Sequence, residues 1–204
     1  MRVTNIEAVT KTKFKVYLDE QFAFVLYKGE LSRYRIQEES ELSQETVNEI
    51  KNEVLTKRVK LRAMYLLNQM DRTEEQLRAK LKKDLYTDEL IEIAMQYVKS
   101  FGYIGDFNYA KRYVESKCNS KSKAEIKMAL LQKGVSKDTI EEVLEGHYSE
   151  ENECAAIQKI LEKKRFSSEN ATDLEKKKMF EYLMRKGFHY DEIRQVIQVS
   201  LWNA

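Results

Sequence analysis

The feature that most constrains the fold of this chain is a unit that recurs three times in its C-terminal part. The units align on short turns at 84–86, 133–135 and 186–188. Apolar residues occupy matching positions around these turns: Leu77, Leu81, Ile91, Ala94 and Met95, then Ile126, Leu130, Ile140, Val143 and Leu144, then Met179, Leu183, Ile193, Val196 and Ile197. Their spacing of three to four residues is that of one helical face. The repeat therefore predicts a helix, a turn and a second helix, three times over.

Helix-capping residues support this assignment. A Ser or Thr followed three residues later by Glu or Gln precedes each turn, in the pairs Thr73 and Gln76, Ser122 and Glu125, and Thr172 and Glu175. Such a capping box satisfies backbone N–H groups at the start of a helix and stabilises it by about 1 kcal/mol. After the turns, the next helices are predicted to start at Thr87, Ser136 and His189, of which the histidine is the weakest cap.

A further helical pattern precedes each pair, so each unit is predicted to be a three-helix module. One such module has a minimal core and would be marginally stable alone. Three in series predict an elongated, curved array in which neighbours support one another. The absence of proline and the 34% of charged residues against 42% hydrophobic fit several thin helical cores better than one large core.

The N-terminal part has a different period. Residues 13–27 alternate apolar and polar side chains around a turn at Asp19-Glu20-Gln21, which predicts a β-hairpin that would need a third strand from residues 2–9 or a covering helix. Ser43 is the predicted cap of the first long helix. We therefore expect a mainly α protein with four parts: an N-terminal β unit at 1–42, a linker helix and first module at 43–104, and two further modules at 105–150 and 151–204.

Charge is distributed unevenly along the chain. The net charge of +2 divides into −2 for residues 1–56, +7 for 57–133 and −3 for 134–204. The basic middle segment is explained either by a solvated helical surface or by an acidic or polyanionic partner. No apolar run has the length of a signal or membrane-spanning segment, so a cytoplasmic protein is expected, with Cys118 and Cys154 as free thiols.

Residues with the spacing of a catalytic or metal site are not evident. His147 and His189 lack partners at metal-ligand spacing, and Gly134-Val-Ser-Lys137 lacks the glycine and the residue order of a phosphate-binding loop. The stretch Gly102-Tyr103-Ile104-Gly105 is interpreted as a linker between modules. The sequence thus predicts a binding protein rather than an enzyme, with no cofactor, metal or small-molecule substrate.

A series of motifs resembles the RecX family of regulatory proteins. The motifs are Ala63-x-x-Leu66-Leu67, Arg72, Gln76-Leu77-x-x-Lys80-Leu81, Gly102-Tyr103-x-x-Asp106-x-x-Tyr109-Ala110-x-x-Tyr113-Val114 and Leu130-x-x-Lys133-Gly134-Val135. They cover about residues 57–200, and the Gly-Tyr-x-x-Asp stretch is the most specific. One departure is the first turn, where Asp84-Leu85-Tyr86 replaces the family's Lys-Gly-Phe. Structural roles also explain several of these residues: Asp106 as an N-cap, and Tyr103 and Tyr113 as core aromatics.

The resemblance implies a monomeric modulator of the RecA recombinase that lies along its filament on single-stranded DNA. It implies that the protein inhibits ATP hydrolysis, filament extension and strand exchange. Weak direct contact with single- or double-stranded DNA is also consistent with it. Charge and position select these candidate partner contacts: Arg58, Arg62, Arg72, Arg78, Lys80, Lys82, Lys111, Arg112 and Lys117. Two alternatives stay open, a stand-alone helical nucleic-acid-binding module and an inert helical scaffold.

Overall fold

The structure, a computed structural model, describes residues 1–197. Its elements are β1 (Val3–Ala8), β2 (Lys13–Leu18), β3 (Gln21–Tyr27), α1 (Lys28–Arg33), α2 (Gln44–Glu49), a π-helical segment (Ile50–Leu55), α3 (Thr56–Gln69), α4 (Glu74–Lys83), α5 (Asp88–Ser100), α6 (Asp106–Lys117), α7 (Lys123–Leu131), α8 (Lys137–His147), α9 (Glu150–Lys163), α10 (Asp173–Arg185) and α11 (Tyr190–Ile197). The chain divides after Ile104 into two compact units. The finer four-part division stays a prediction. No helix among residues 1–197 is long and apolar enough to cross a membrane.

The N-terminal strands form an antiparallel sheet of order β1-β2-β3. Asp19 and Glu20 join β2 to β3 with φ angles of 47° and 67°. Positive φ at both central residues gives the turn a twist that matches that of the flanking strands. The predicted hairpin is confirmed, and so is a third strand from residues 2–9, which supplies the pairing that a two-stranded hairpin lacks.

The N-terminal sheet shares one core with the first three-helix module. Val16, Leu26 and Ile50 are fully buried in a cluster that continues through α3, α4 and α5. Backbone hydrogen bonds also tie the ends of this segment together, because the Val3 amide donates to the Ser40 carbonyl at 2.9 Å. A small sheet that is marginal alone is thus stabilised by burying one face against helices.

Each module packs its first helix against its third. The pairs are α3 with α5, α6 with α8, and α9 with α11. The second and third modules have their own buried clusters, centred on side chains such as Leu130 and Ile140 in one and Ile157 and Leu183 in the other. The mainly helical fold of repeated three-helix modules with a small N-terminal sheet is therefore confirmed.

The turn between the second and third helices has the same geometry in every module. Leu85, Gly134 and Gly187 have φ angles of 68°, 84° and 81°. Equivalent hydrogen bonds close the turns: Tyr86 N to Leu81 O at 3.2 Å, Val135 N to Leu130 O at 3.2 Å, and Phe188 N to Leu183 O at 3.3 Å. This is a helix C-cap in which the left-handed residue favours glycine. Leu85 therefore keeps the shape of the turn, although a left-handed leucine costs about 1 kcal/mol relative to glycine.

The predicted caps agree with the structure except at two positions. Capping boxes open α4, α7 and α10 at Thr73, Ser122 and Thr172. Thr87 occupies the N-cap of α5, but its side chain makes no capping hydrogen bond. The prediction for Asp106 is wrong by one residue, because Gly105 is the N-cap of α6 and Asp106 lies in the first turn. There its negative charge still favours the positive end of the helix dipole.

The turn of the third module docks on the start of α7 in the second. Ser122 Oγ donates to the Lys186 carbonyl at 2.5 Å, and Lys186 Nζ lies 2.8 Å from Glu125 Oε1. A Cβ atom at Gly187 would lie 2.5 Å from the Cβ of Ala124, far inside van der Waals contact. The repeat glycine therefore serves two purposes here, the turn and the close approach of two modules.

Candidate partner-binding surface

The candidate basic residues fall into two sets that belong to different units. Six lie in the N-terminal unit, and their positions are Arg58 and Arg62 on α3, Arg72 in the following loop, and Arg78, Lys80 and Lys82 on α4. Lys111, Arg112 and Lys117 lie on α6 in the second unit. Each set therefore belongs to the surface of its own unit.

Arg58 is engaged inside the fold. Its guanidinium donates to the Val25 carbonyl at 3.1 Å and pairs with Glu30, and it lies 4.7 Å above the ring of Tyr27. Only 18% of the Arg58 side chain is exposed. These contacts join α3 to β3 and α1, so a role in folding is sufficient to explain an arginine at this position.

The other arginines of this unit are partly occupied by neighbours. Arg62 Nε donates to Asp84 Oδ2 at 2.7 Å, and Arg72 Nε donates to the Leu66 carbonyl at 3.3 Å. Arg78 makes a two-pronged contact with Glu92 of α5, and these hydrogen bonds raise the pKa of Arg78 and lower the pKa of Glu92. Half-exposed pairs of this kind contribute about 0–1 kcal/mol each, so a stronger acidic partner can compete for the arginines.

The lysines and Arg112 are more accessible. Lys82 lies 3.5 Å from Asp88 with both side chains exposed, and Lys111 only reaches Glu115 at 4.0 Å. Arg112 is exposed. Lys80 and Lys117 form no ion pair with any residue in 1–197. Lys80 is exposed, so it keeps its whole charge available to a partner.

A further surface on α3 was missed by the sequence analysis. Leu61 and Tyr65, one helical turn apart, are 71% and 55% exposed, and the Arg62 guanidinium lies 5.4 Å from the centre of the Tyr65 ring. We call Leu61, Arg62 and Tyr65 the α3 patch. Exposed tyrosine beside arginine is the composition found at the energetic centres of protein interfaces. The signal in the sequence was Leu61 and Tyr65, apolar residues spaced i, i+4 on the face opposite to Ala63.

Aromatic side chains collect where α5 ends. Tyr97 contacts Phe101 edge to face with 5.0 Å between ring centres, and Phe101 stacks on Tyr103 at 5.6 Å. Phe101 and Tyr103 are 56% and 52% exposed. We call these three residues the α5 aromatic cluster. The expectation that Tyr103 is a core residue is therefore wrong, because Gly102, with φ 67°, ends the helix and leaves Tyr103 outside the bundle.

Tyr113 on α6 is a core aromatic residue, as predicted. Tyr113 packs against the core of the second module and stacks on Tyr109 at 6.5 Å between ring centres. Lys133 Nζ lies 5.7 Å from the centre of the Tyr113 ring. Of the two tyrosines expected in a core, only Tyr103 is thus presented to solvent.

Comparison with known proteins decides the family. The chain is 33% identical to regulatory protein RecX of Caldanaerobacter subterraneus subsp. tengcongensis over 96% of its own length and 97% of that protein. It belongs to the RecX family of regulatory proteins. Another RecX, from Clostridium botulinum strain Alaska E43, is 29% identical over 98% of this chain and 96% of the relative. The resemblance inferred from the motifs is confirmed.

Domain descriptions and solved structures agree with this assignment. Residues 106–144 match the family description for the second three-helix domain of RecX, and residues 150–197 match that for the third. A crystal structure of regulatory protein RecX superposes with a TM-score of 0.62 over 97% of this chain and 98% of that one, at 24% identity. RecX from Lactobacillus salivarius gives a TM-score of 0.60 over 71% and 95%, at 25% identity. The RecX fold thus extends over both units.

Proposed function

We propose that this RecX family member binds the RecA recombinase filament on single-stranded DNA and inhibits its ATPase, its extension and strand exchange. The observation that carries the proposal is sequence similarity to RecX regulatory proteins along nearly the whole chain. In this proposal the protein is a cytoplasmic monomer that acts by contact. It performs no catalysis, needs no cofactor and takes no small-molecule substrate.

The surface chemistry of the N-terminal unit supports a protein partner. The α3 patch and the α5 aromatic cluster expose tyrosine, phenylalanine and leucine, which gain free energy when a partner removes them from water. Tyr103 lies in the Gly-Tyr-x-x-Asp stretch, the motif most specific to the family resemblance. An interface needs such apolar anchors in addition to charge, because exposed ion pairs alone add little affinity.

The basic residues serve to attract and orient the partner. Lys80, Lys82, Lys111, Arg112 and Lys117 are proposed as contacts with acidic side chains or phosphates. Arg62, Arg72 and Arg78 are proposed to exchange their internal partners for those of the filament. Arg58 stays on the list of candidates with the weakest support, since its internal contacts already explain it. Charges of this kind act mainly on the association rate and on its salt dependence.

The proposal is tested by titrating the protein into a RecA ATPase reaction on single-stranded DNA. We expect inhibition at substoichiometric protein, and a potency at least tenfold lower for Tyr103→Ala and for Lys80→Glu. Lys11→Glu is the matched control for charge, because Lys11 is also exposed but lies in the β1–β2 turn of the N-terminal sheet. No change in ATPase at micromolar wild-type protein would refute the proposed partner.

A second candidate function is direct nucleic-acid binding without RecA. The observation that favours it is the charge of +7 carried by residues 57–133. Phosphate contacts release counterions, so such binding would weaken steeply as salt is raised. Nanomolar binding to single-stranded DNA in the absence of RecA, lost between low and physiological salt, would favour this candidate over the first.

A further inference from the structure

A cluster of two carboxylates and one imidazole lies in the third module and includes none of the residues named in the surfaces above. Glu153 on α9, and His189 and Glu192 at the start of α11, each offer a ligand atom, and these atoms lie within 4.8 Å of one another. Glu153 is buried, with 3% of its surface exposed. His189 Nδ1 lies 3.0 and 2.9 Å from the two oxygens of the Glu153 carboxylate. A buried carboxylate is costly unless a positive charge or hydrogen bonds compensate it.

Glu192 occupies a helix position whose usual hydrogen-bond donor is already taken by Glu153. Glu192 is the third residue of α11, where a glutamate normally accepts from the backbone N–H of the residue before the helix. In α11 that N–H belongs to His189, and it donates to Glu153 Oε1 at 2.8 Å instead. Glu192 Oε2 is buried, and it has no hydrogen-bond partner among the described residues.

The His189 imidazole and amide compensate the Glu153 carboxylate, whereas the adjacent Glu192 Oε2 has no hydrogen-bond partner among the described residues. Two carboxylates side by side repel each other, and a buried oxygen without a partner costs about 1–3 kcal/mol. A single cation between them would remove both penalties. Neighbouring ligand atoms of one cation are themselves about 3 Å apart, when each lies about 2 Å from it. The separation of 2.9 Å between His189 Nδ1 and Glu153 Oε2 fits that requirement.

We propose that Glu153, His189 and Glu192 form a binding site for a divalent cation of the zinc class. Glu153 Oε2, His189 Nδ1 and Glu192 Oε2 would be the protein ligands, and water would complete the coordination. Glu153 Oε1 would keep its hydrogen bond to the His189 amide and so orient the ligand carboxylate. The imidazole selects zinc, nickel or cobalt over magnesium and calcium, which prefer oxygen ligands throughout.

The surroundings are mixed in charge but acidic on balance. Glu150 and Asp191 line the same hollow, and Lys123 is the basic group that lines it with them. A bound cation would join the first turn of α9 to the start of α11, so it would stabilise the folded second unit. This site is independent of the proposed function, because it lies on neither the α3 patch nor the α5 aromatic cluster.

The test is binding of Zn²⁺ itself to the full chain after removal of metals with a chelator. Isothermal titration calorimetry should give one site per chain, and zinc should raise the melting temperature. His189→Asn and Glu192→Gln should each weaken binding at least tenfold and abolish the rise in melting temperature. Glu192→Gln is the decisive variant, because Glu192 Oε2 makes no hydrogen bond with residues 1–197 that the substitution would break.

Two controls separate this site from incidental zinc binding. His147→Asn removes the other histidine, which lies 3.9 Å from Glu115 on a different helix pair, and it should leave zinc binding unchanged. Cys154→Ser removes the thiol next to Glu153 and should likewise have no effect. No zinc binding by the wild type, or binding that survives both His189→Asn and Glu192→Gln, would overturn the proposal.

Discussion

Substitution of Gly187 by alanine tests how the third module docks on the second. The backbone at position 187 has a φ of 81°, and the new methyl carbon would lie 2.5 Å from the Cβ of Ala124. A left-handed alanine costs about 1 kcal/mol relative to glycine. Forcing two carbons apart from 2.5 Å to ordinary contact adds about 1–3 kcal/mol by analogy with overpacked cores. We expect Gly187→Ala to lower the free energy of unfolding of the second unit by about 2–4 kcal/mol.

The matched control is Gly102→Ala. Gly102 has a similar φ of 67°, but a Cβ there would meet no atom within 4 Å. Gly102→Ala should therefore lower the free energy of unfolding of the first unit only by the conformational cost, about 1 kcal/mol. Urea unfolding followed by circular dichroism gives both values, and hydrogen exchange of peptides from α7, α10 and α5 assigns each loss to its unit.

A second substitution isolates the contact itself. Adding Ala124→Gly to Gly187→Ala removes one of the two methyl groups, and the double-mutant cycle should show about 1–3 kcal/mol of coupling. Equal losses for Gly187→Ala and Gly102→Ala, or a cycle with no coupling, would refute the claim that the repeat glycine mediates close packing between modules.

Other consequences follow from the same structure. Ser122→Ala should destabilise the second unit by about 2–4 kcal/mol, because it removes a cap and leaves the Lys186 carbonyl without its 2.5 Å donor. Ser136→Ala removes only a cap and should cost about 1 kcal/mol. Urea unfolding measures both losses, and similar values for the two variants would contradict this expectation. Burial raises the pKa of Tyr86 from 10.0 to about 12, so folding favours the neutral phenol. The stability that this adds is complete below pH 10.0 and is lost as pH rises through about 12. Tyr86→Phe should lose less stability over that range in pH-dependent unfolding, and identical pH profiles would contradict the assignment.

Local features of the chain were predictable because they depend on neighbours in sequence. The capping boxes at Thr73, Ser122 and Thr172 and the apolar spacing of the repeats act within one or two helical turns. The turn at Leu85 was the one place where the local signal was ambiguous. There the surrounding helices impose a left-handed leucine, since the packing of α4 and α5 outweighs a local cost of about 1 kcal/mol.

The candidate surface was predictable only in part, because exposure and pairing are set by residues far away in sequence. Arg58 was chosen by its charge, yet Val25 of β3 and Glu30 of α1 already bind its guanidinium. Tyr103 was expected inside the fold, and the end of α5 places it outside. Charge along the sequence does not reveal which partner a side chain meets after folding.

The sequence by itself determined the family, the three-helix repeat and the hairpin, since periodicity, caps and turn residues are local properties. Tertiary structure alone decided that Gly187 lies against Ala124, that Ser122 bonds Lys186, and that Glu153 takes the amide hydrogen bond expected for Glu192. The physical reason is that each of these contacts joins residues at least 36 positions apart. Only the packing of whole helices, driven by burial of their apolar faces, brings such residues within bonding distance.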